Sequence, residues 1–255
     1  MSADSTFTPR IIGLICNWCC YGGADLCGVS RFQYPPYIRL IRIMCSGRVD
    51  LKNVLQVFHE GADGMFIGGC HIDDCHYITH GNYDAMGMVH IARKLLEHVG
   101  VNPRRLRLEW VSAGEGIRFA NIMNEYGAEM AKMGPLGKGE DEKEEGLKFR
   151  LEAARKLVPY IRLVERERFR IPAKKEEAYD EFFASEEFDR LFKELILDKL
   201  AISQITSLLG EKPLSTGEIA AELGLKPSEV SRHMNTSSMH GLVRYDMDQK
   251  RFALA

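Results

Sequence analysis

Residues 10–16, Arg10-Ile11-Ile12-Gly13-Leu14-Ile15-Cys16, form a short, continuous apolar run that ends on a cysteine. A run of this length without polar alternation reads as a strand buried on both faces. The same form recurs at 38–45 (IRLIRIMC), 64–69 (GMFIGG) and 106–111 (LRLEWV). Between these runs, 51–60 places Val54, Leu55 and Phe58 at helical spacing, and 88–98 does so with Ile91, Leu95 and Leu96. Residues 117–133 close the series with Phe119, Ile122, Met123 and Tyr126 on one side. Strands alternating with helices predict a parallel sheet covered by helices, since parallel neighbours need crossover connections. The first crossover, 17–36, is rich in Gly, Cys and Pro and reads as mostly loop, with 24–31 as its one short helical segment. Long irregular loops in compact domains often carry function.

At Gly134-Pro135-Leu136-Gly137 the pattern stops, and 138–145 is a charged run with no apolar face. A boundary placed there gives an α/β domain over 1–139, a charged helical linker or arm over 140–200, and a small domain over 201–255. In the linker, 146–168 and 178–200 read as helices separated by Pro172. The last segment reads as helices at 202–209, 215–223 and 227–239, then strands at 242–245 and 251–254. That order is a winged helix-turn-helix. Ser215 and Glu218 have capping-box spacing. From 199 to 255, seven basic residues face six acidic ones. A nucleic-acid reader shows a clearer basic footprint, so the wing is expected to dock on protein rather than DNA.

The 255 residues are 45% hydrophobic and 27% charged, enough for a buried core and a solvated surface. A formal net charge of -2 gives no global attraction for nucleic acid or anionic lipid. The first ten residues lack a basic n-region, and 11–15 is too short for a signal h-region. The expectation is a cytoplasmic chain with no membrane association.

All seven cysteines fall within the first 75 residues. An odd, clustered set in a reducing compartment points to metal ligation or redox chemistry rather than disulfides. Cys16, Cys45 and Cys70 each stand at the carboxyl end of a predicted strand, and in a parallel sheet those ends share one edge, where ligands bind. Cys19, Cys20 and Cys75 come from the adjoining loops. Thiolates in this number suit zinc or an iron–sulfur cluster. The spacing favours the cluster, because only Cys16 and Cys19 form a short knuckle, but zinc stays open at this point. Cys20 and Cys27 read as small buried hydrophobes. His71 and His76 read as hydrogen-bonding or surface residues rather than ligands.

Several segments together resemble one family: Cys16-Asn17-Trp18-Cys19, Tyr21-Gly22-Gly23-Ala24-Asp25, Tyr34-Pro35-Pro36, Met44-Cys45-Ser46-Gly47-Arg48-Val49, Gly69-Cys70-His71, Asp74-Cys75-His76-Tyr77, Gly81-Asn82-Tyr83 and Trp110 to Gly116. They resemble the delta subunit of methyl-viologen-reducing hydrogenase over roughly residues 10–137 and not beyond. The alternation of strands and helices is that of a flavodoxin-like or Rossmann-like three-layer fold, and the resemblance implies a [2Fe-2S] cluster. It also implies a non-catalytic wire within a hetero-oligomeric complex. Electrons would pass between a hydrogenase or formate dehydrogenase type oxidoreductase and a flavin-containing heterodisulfide-reductase-like subunit. Family motifs fall on Cys16, Cys19, Cys45, Cys70 and Cys75, one thiol more than a single cluster needs. Backbone N–H groups of 21–23 and 46–48 are expected to tune the sulfurs. Trp18, Tyr21, Tyr34, Pro35, Pro36 and Tyr77 are expected contacts for a partner. The alternative is an iron–sulfur redox-sensing regulator that binds DNA through the C-terminal wing.

Overall fold

The structure, a computed structural model, describes residues 7–139, Glu142 and 144–255. Residues 1–6 of the N-terminal stretch, and Glu140, Asp141 and Lys143 of the charged run, lie outside the described residues. By contacts the chain divides into two compact units. One runs to Leu151 and includes Ile171–Phe183; the other comprises Glu152–Arg170 and Ala184–Ala255.

In the first unit, β1 (Ile11–Cys16), β2 (Ile38–Ile43), β3 (Gly64–Gly69) and β4 (Leu106–Trp110) form a parallel sheet in the order β2-β1-β3-β4. The crossovers are α1 (Cys20–Val29), α2 (Leu51–His59) and α3 (Gly81–Val99), and α4 (Gly116–Met133) follows β4. Helix α1 packs on α4 and α2 on α3, so the sheet is covered on both faces. The chain moves from β1 outward to β2, then returns to β3 and continues to β4. The order therefore reverses between β1 and β3, and the crevice beyond their carboxyl ends is a topological switch point.

Burial on both faces holds for the central strand β3, whose six residues are all buried, but not for β2. As an edge strand β2 exposes Arg39, Ile41 and Arg42, and its charges suit an unpaired edge. The first crossover is not mostly loop, for α1 occupies ten residues of it. Glycine and cysteine are weak helix formers, so local propensity hides the start of this helix, Cys20 to Gly23, ahead of the segment expected from 24. Packing supplies what propensity lacks: Cys20, Gly23 and Cys27 are buried, and a Cβ on Gly23 would lie 2.9 Å from the carbonyl oxygen of Ser112 and 3.0 Å from Val111. Helix α3 likewise begins seven residues before the apolar periodicity that starts at Met88, because its first turn is buried at the crevice.

Helices α5 (Leu147–Arg168), α6 (Glu176–Phe183), α7 (Glu186–Phe192) and α8 (Asp198–Leu209) follow. The helix expected over 178–200 breaks at 184–185, where the Ser185 hydroxyl accepts the Phe188 N–H at 3.1 Å and starts α7. A π-helical turn, Lys193–Leu197, then leads into α8.

The chain ends with α9 (Thr216–Leu223), α10 (Pro227–Met239), β5 (Val243–Asp246) and β6 (Arg251–Leu254). Ile205, Leu209, Leu214, Ile219, Val230, Met234 and Val243 form the core of this winged helix-turn-helix. Ser215 caps α9 in the capping box expected from its spacing, with the Glu218 carboxylate accepting the Ser215 N–H at 2.7 Å. β5 and β6 are antiparallel, and a bridge from Phe252 to Leu214 covers the far edge of β6. No helix among the described residues is long and apolar enough to cross a membrane.

Candidate metal centre

The crevice collects the five thiols singled out by sequence. Cys16 ends β1, Cys70 follows β3, and their sulfurs lie 3.7 Å apart across the switch point. Cys19, in the turn before α1, approaches Cys70 as well. Cys45, two residues past β2, pairs with Cys75 from the 70–80 loop. Cys75 Sγ occupies the place of a Cβ on Gly81, the first residue of α3, with Cys45 Sγ 3.5 Å from that point, and φ there is +39°, so any side chain would collide with Cys75 Sγ. Glycine is required there on both counts. Cys16, Cys45, Cys70 and Cys75 are buried, and Cys19 is the most accessible of the five. Cys70 thus meets both Cys16 and Cys19 while Cys45 meets Cys75, and no three His, Cys, Asp or Glu side chains among the described residues close around one bare ion.

Charge at the site follows from what the sulfurs touch. Cys16 is held down to about 6, first by the hydrogen bond it shares with Cys70 and then by N–H groups of Cys20, Cys19 and Trp18, against the upward push of burial. The Cys20 N–H reaches Cys16 Sγ at 3.4 Å. Cys70 moves up, because it keeps the proton that Cys16 gives up and is itself buried. Burial raises Cys19 and Cys45, the latter partly offset by the Gly47 N–H. The first turns of α1 and α3 both face the thiols, and helix N-termini favour negative charge. Donors to sulfur thus come from 47, as expected within 46–48, but from 18–20 rather than 21–23. The Gly23 N–H is used inside α1, on the Cys19 carbonyl at 2.9 Å.

The two cysteines set aside from the ligand set lie elsewhere. The Cys20 sulfur fills the space a Gly68 side chain would need, and burial pushes its thiol well up. Cys27 donates its S–H to the Phe32 carbonyl at 3.5 Å. His71 is hydrogen-bonded to the Glu115 carboxylate at 2.7 Å, and that carboxylate accepts the Ser112 N–H at the same distance, which together hold it below the usual range. His76 stacks on Trp18 at 4.0 Å and 16°. Of the expected contact residues, Trp18 is exposed at 42% and Tyr77 at 40% and Pro36 is also exposed, whereas Tyr21, Tyr34 and Pro35 are only half-exposed and Tyr34 packs edge-on against Phe119. A groove of about 620 Å³ opens beside Cys45, lined by Met44, Arg48, His76, Tyr77 and Ile78.

Sequence reasoning gave no role to Asn82 or Glu115, although both lie in quoted motifs. Asn82 is fully buried, and its amide donates to the carbonyls of Cys70 and His71 at 3.4 and 2.8 Å, which fixes the Cys70 loop to α3.

The family described as methyl-viologen-reducing hydrogenase, delta subunit, matches residues 11–134, and the family described as bacterial regulatory protein, arsR family, matches 203–245. The chain is 45% identical over 128 residues to the iron-sulfur subunit of the F420-non-reducing hydrogenase of Archaeoglobus profundus, covering 50% of this chain and 93% of that protein. It is 50% identical over 127 residues to the vhc iron-sulfur subunit of the F420-non-reducing hydrogenase of Methanococcus voltae, covering 50% and 88%. It is 46% identical over 136 residues to one subunit of the ferredoxin/F(420)H(2)-dependent CoB-CoM heterodisulfide reductase of Methanosarcina acetivorans, where the match covers 53% of this chain but only 17% of that much longer protein. With the hydrogenase relatives matched over most of their length, the chain belongs to the methyl-viologen-reducing hydrogenase delta subunit family.

Proposed function

We propose that this chain is a [2Fe-2S] electron-transfer subunit of a cytoplasmic hetero-oligomeric complex. It relays electrons between an oxidoreductase of hydrogenase or formate dehydrogenase type and a flavin-containing heterodisulfide-reductase-like subunit. The observation that carries this reading is the meeting of Cys16 and Cys70 at 3.7 Å across the switch point, with Cys19, Cys45 and Cys75 alongside. Five thiols gathered at one crevice fit one-electron chemistry at iron and sulfide. The names of the relatives add support. The matched stretch stands as a separate iron-sulfur subunit in some and as part of a longer heterodisulfide reductase subunit in others. A stretch that is fused to a protein in one organism and free in another is suited to dock on that protein.

Four of the five thiolates would hold the cluster, which supplies a reversible one-electron couple when bound. The remaining tasks belong to the chain. N–H groups of Trp18, Cys19, Cys20 and Gly47 offset negative charge on sulfur, and the first turns of α1 and α3 add to this. Burial of Cys16 and Cys70 keeps water away. The groove at Cys45 brings a thiol close to solvent between exposed Met44 and Ile78, which makes it the port for exchange with a partner.

Anaerobic purification followed by iron, sulfide and zinc analysis, with EPR of the dithionite-reduced chain, tests this. The expected result is about two irons and two sulfides per chain with a reduced [2Fe-2S] signal. Zinc without sulfide would overturn the proposal. The match of 203–245 to a regulatory family favours a second reading, a redox-sensing regulator. Operator binding that changes with oxidation of the cluster would support it.

A further inference from the structure

We infer that the outer edge of β5 is a self-association surface, on which a second copy of this chain adds its own β5 antiparallel about a two-fold axis through Tyr245. The edge is open. Among the described residues β5 pairs only with β6, and β6 is closed on its other side by the bridge to Leu214. The Ala255 N–H bonds the Leu242 carbonyl, whose own N–H is taken by Ser237, so by strand alternation Arg244 and Asp246 direct their backbone groups to β6. Val243 and Tyr245 then direct theirs outward. In an antiparallel pair, a residue on the two-fold axis can exchange both of its backbone hydrogen bonds with its own copy, and Tyr245 is oriented to do so.

Side chains select the occupant. With Tyr245 on the axis, Arg244 of each copy lies opposite Asp246 of the other, which forms two opposite-charge pairs from one sequence. An edge guarded by a single sign of charge would repel its own copy, whereas alternating signs make this one self-complementary. Tyr245 packs on Phe252 at 4.7 Å and remains half-exposed, and Met247 in the turn after β5 is 78% exposed. Leu242 and Met239 extend the apolar surface beside the strand, Met239 at 87% exposure. Nucleic acid fits the face less well. Arg232, the one arginine on α10, is held by both carboxylate oxygens of Asp198 at 3.1 and 3.4 Å, and Arg251 is held by Glu218 at 2.9 Å. A four-residue strand makes a small interface, so association is expected to be weak and concentration-dependent.

Sedimentation velocity of the full-length chain across a wide concentration range tests the inference. The mass should rise from 28.9 kDa toward twice that value as concentration increases. Arg244→Asp turns both cross-strand pairs into like-charge pairs on an exposed position, and should weaken association about tenfold or more. Tyr245→Pro removes the outward N–H while leaving the bonds to β6, and should abolish association. A wild-type chain that stays monomeric at every concentration, whether or not it binds duplex DNA, overturns the inference. So does a dimer that neither R244D nor Y245P weakens.

Discussion

The thiol crevice and the winged unit are built in opposite ways. The crevice is assembled from five short segments, around 16–20, 45–47, 70–75, 81–82 and 112–115, none of which specifies its own conformation strongly. They meet because a parallel sheet brings its carboxyl ends together, and the helices that hold them start with glycine or cysteine and gain stability by packing. In the winged unit, by contrast, turns and caps are written locally: Ser215 with Glu218, Pro227 at the start of α10, and the Asp246 carboxylate closing its turn on the N–H groups of Asp248 and Gln249. Topology makes the site and local rules make the appendage. Loss of a single thiol should therefore act all-or-none in the first, and loss of a single cap by increments in the second.

The largest expected effect lies at the thiols. Cys16→Ser and Cys70→Ser each remove one member of the 3.7 Å pair at the switch point and should abolish the native visible and EPR spectrum of the anaerobically purified chain. Cys27→Ser should keep metal content and spectrum, since that sulfur donates to a carbonyl in the 28–32 turn away from the crevice. A native spectrum in both Cys16→Ser and Cys70→Ser, or loss of metal in Cys27→Ser, would show that the wrong sulfurs have been assigned.

Gly81→Ala is a subtler break in the same region. The position needs a positive φ and has Cys75 Sγ where a methyl group would go, so the first turn of α3 must move away from the Cys45–Cys75 pair. Such a strained substitution costs on the order of 1–3 kcal/mol. Thermal denaturation should report that loss together with a cluster that decays faster in air. Cluster retention equal to wild type would mean that the second thiol pair tolerates displacement and that the first carries the centre alone.

This contrast also explains what was legible in the sequence. The four strands and the winged order were readable because apolar runs and caps are local signals, and the cysteines at strand ends pointed to one edge before any fold was known. Only the second half of helix α1 was readable, as the short segment at 24–31; its start at Cys20 was not, because Gly22 and Gly23 disfavour a helix until α4 and the 111–115 loop pack against them. The break at 184–185 was hidden for the opposite reason: Phe182, Phe188, Leu191 and Leu195 keep helical spacing through it, and only the Ser185 cap marks the interruption. Asn82 left no signal at all, since a buried amide that bonds two loop carbonyls looks in sequence like any polar residue at a helix start.

The smallest effect belongs to the winged unit and sharpens the contrast most directly. Ser215→Ala removes the hydroxyl that accepts the Glu218 N–H at 3.3 Å, and loss of such a cap costs about 1 kcal/mol. For a unit of this size that corresponds to roughly 4–8 °C in its melting temperature, with metal content unchanged. The carboxylate half of the box behaves differently with pH. Glu218 is held below the usual carboxylate range by the Ser215 N–H and hydroxyl, with Arg251 adding to this, so it is lowered in the folded state. A lowered carboxylate contributes stability above its unfolded pKa and loses it as pH falls through the folded value. The Ser215→Ala difference should therefore persist across neutral pH, where the hydroxyl does not titrate, while Glu218→Gln should flatten the acid side of the stability profile. If Ser215→Ala instead removed the metal centre, the two regions would not be separable in this way, and the winged unit would have to be counted as part of the site.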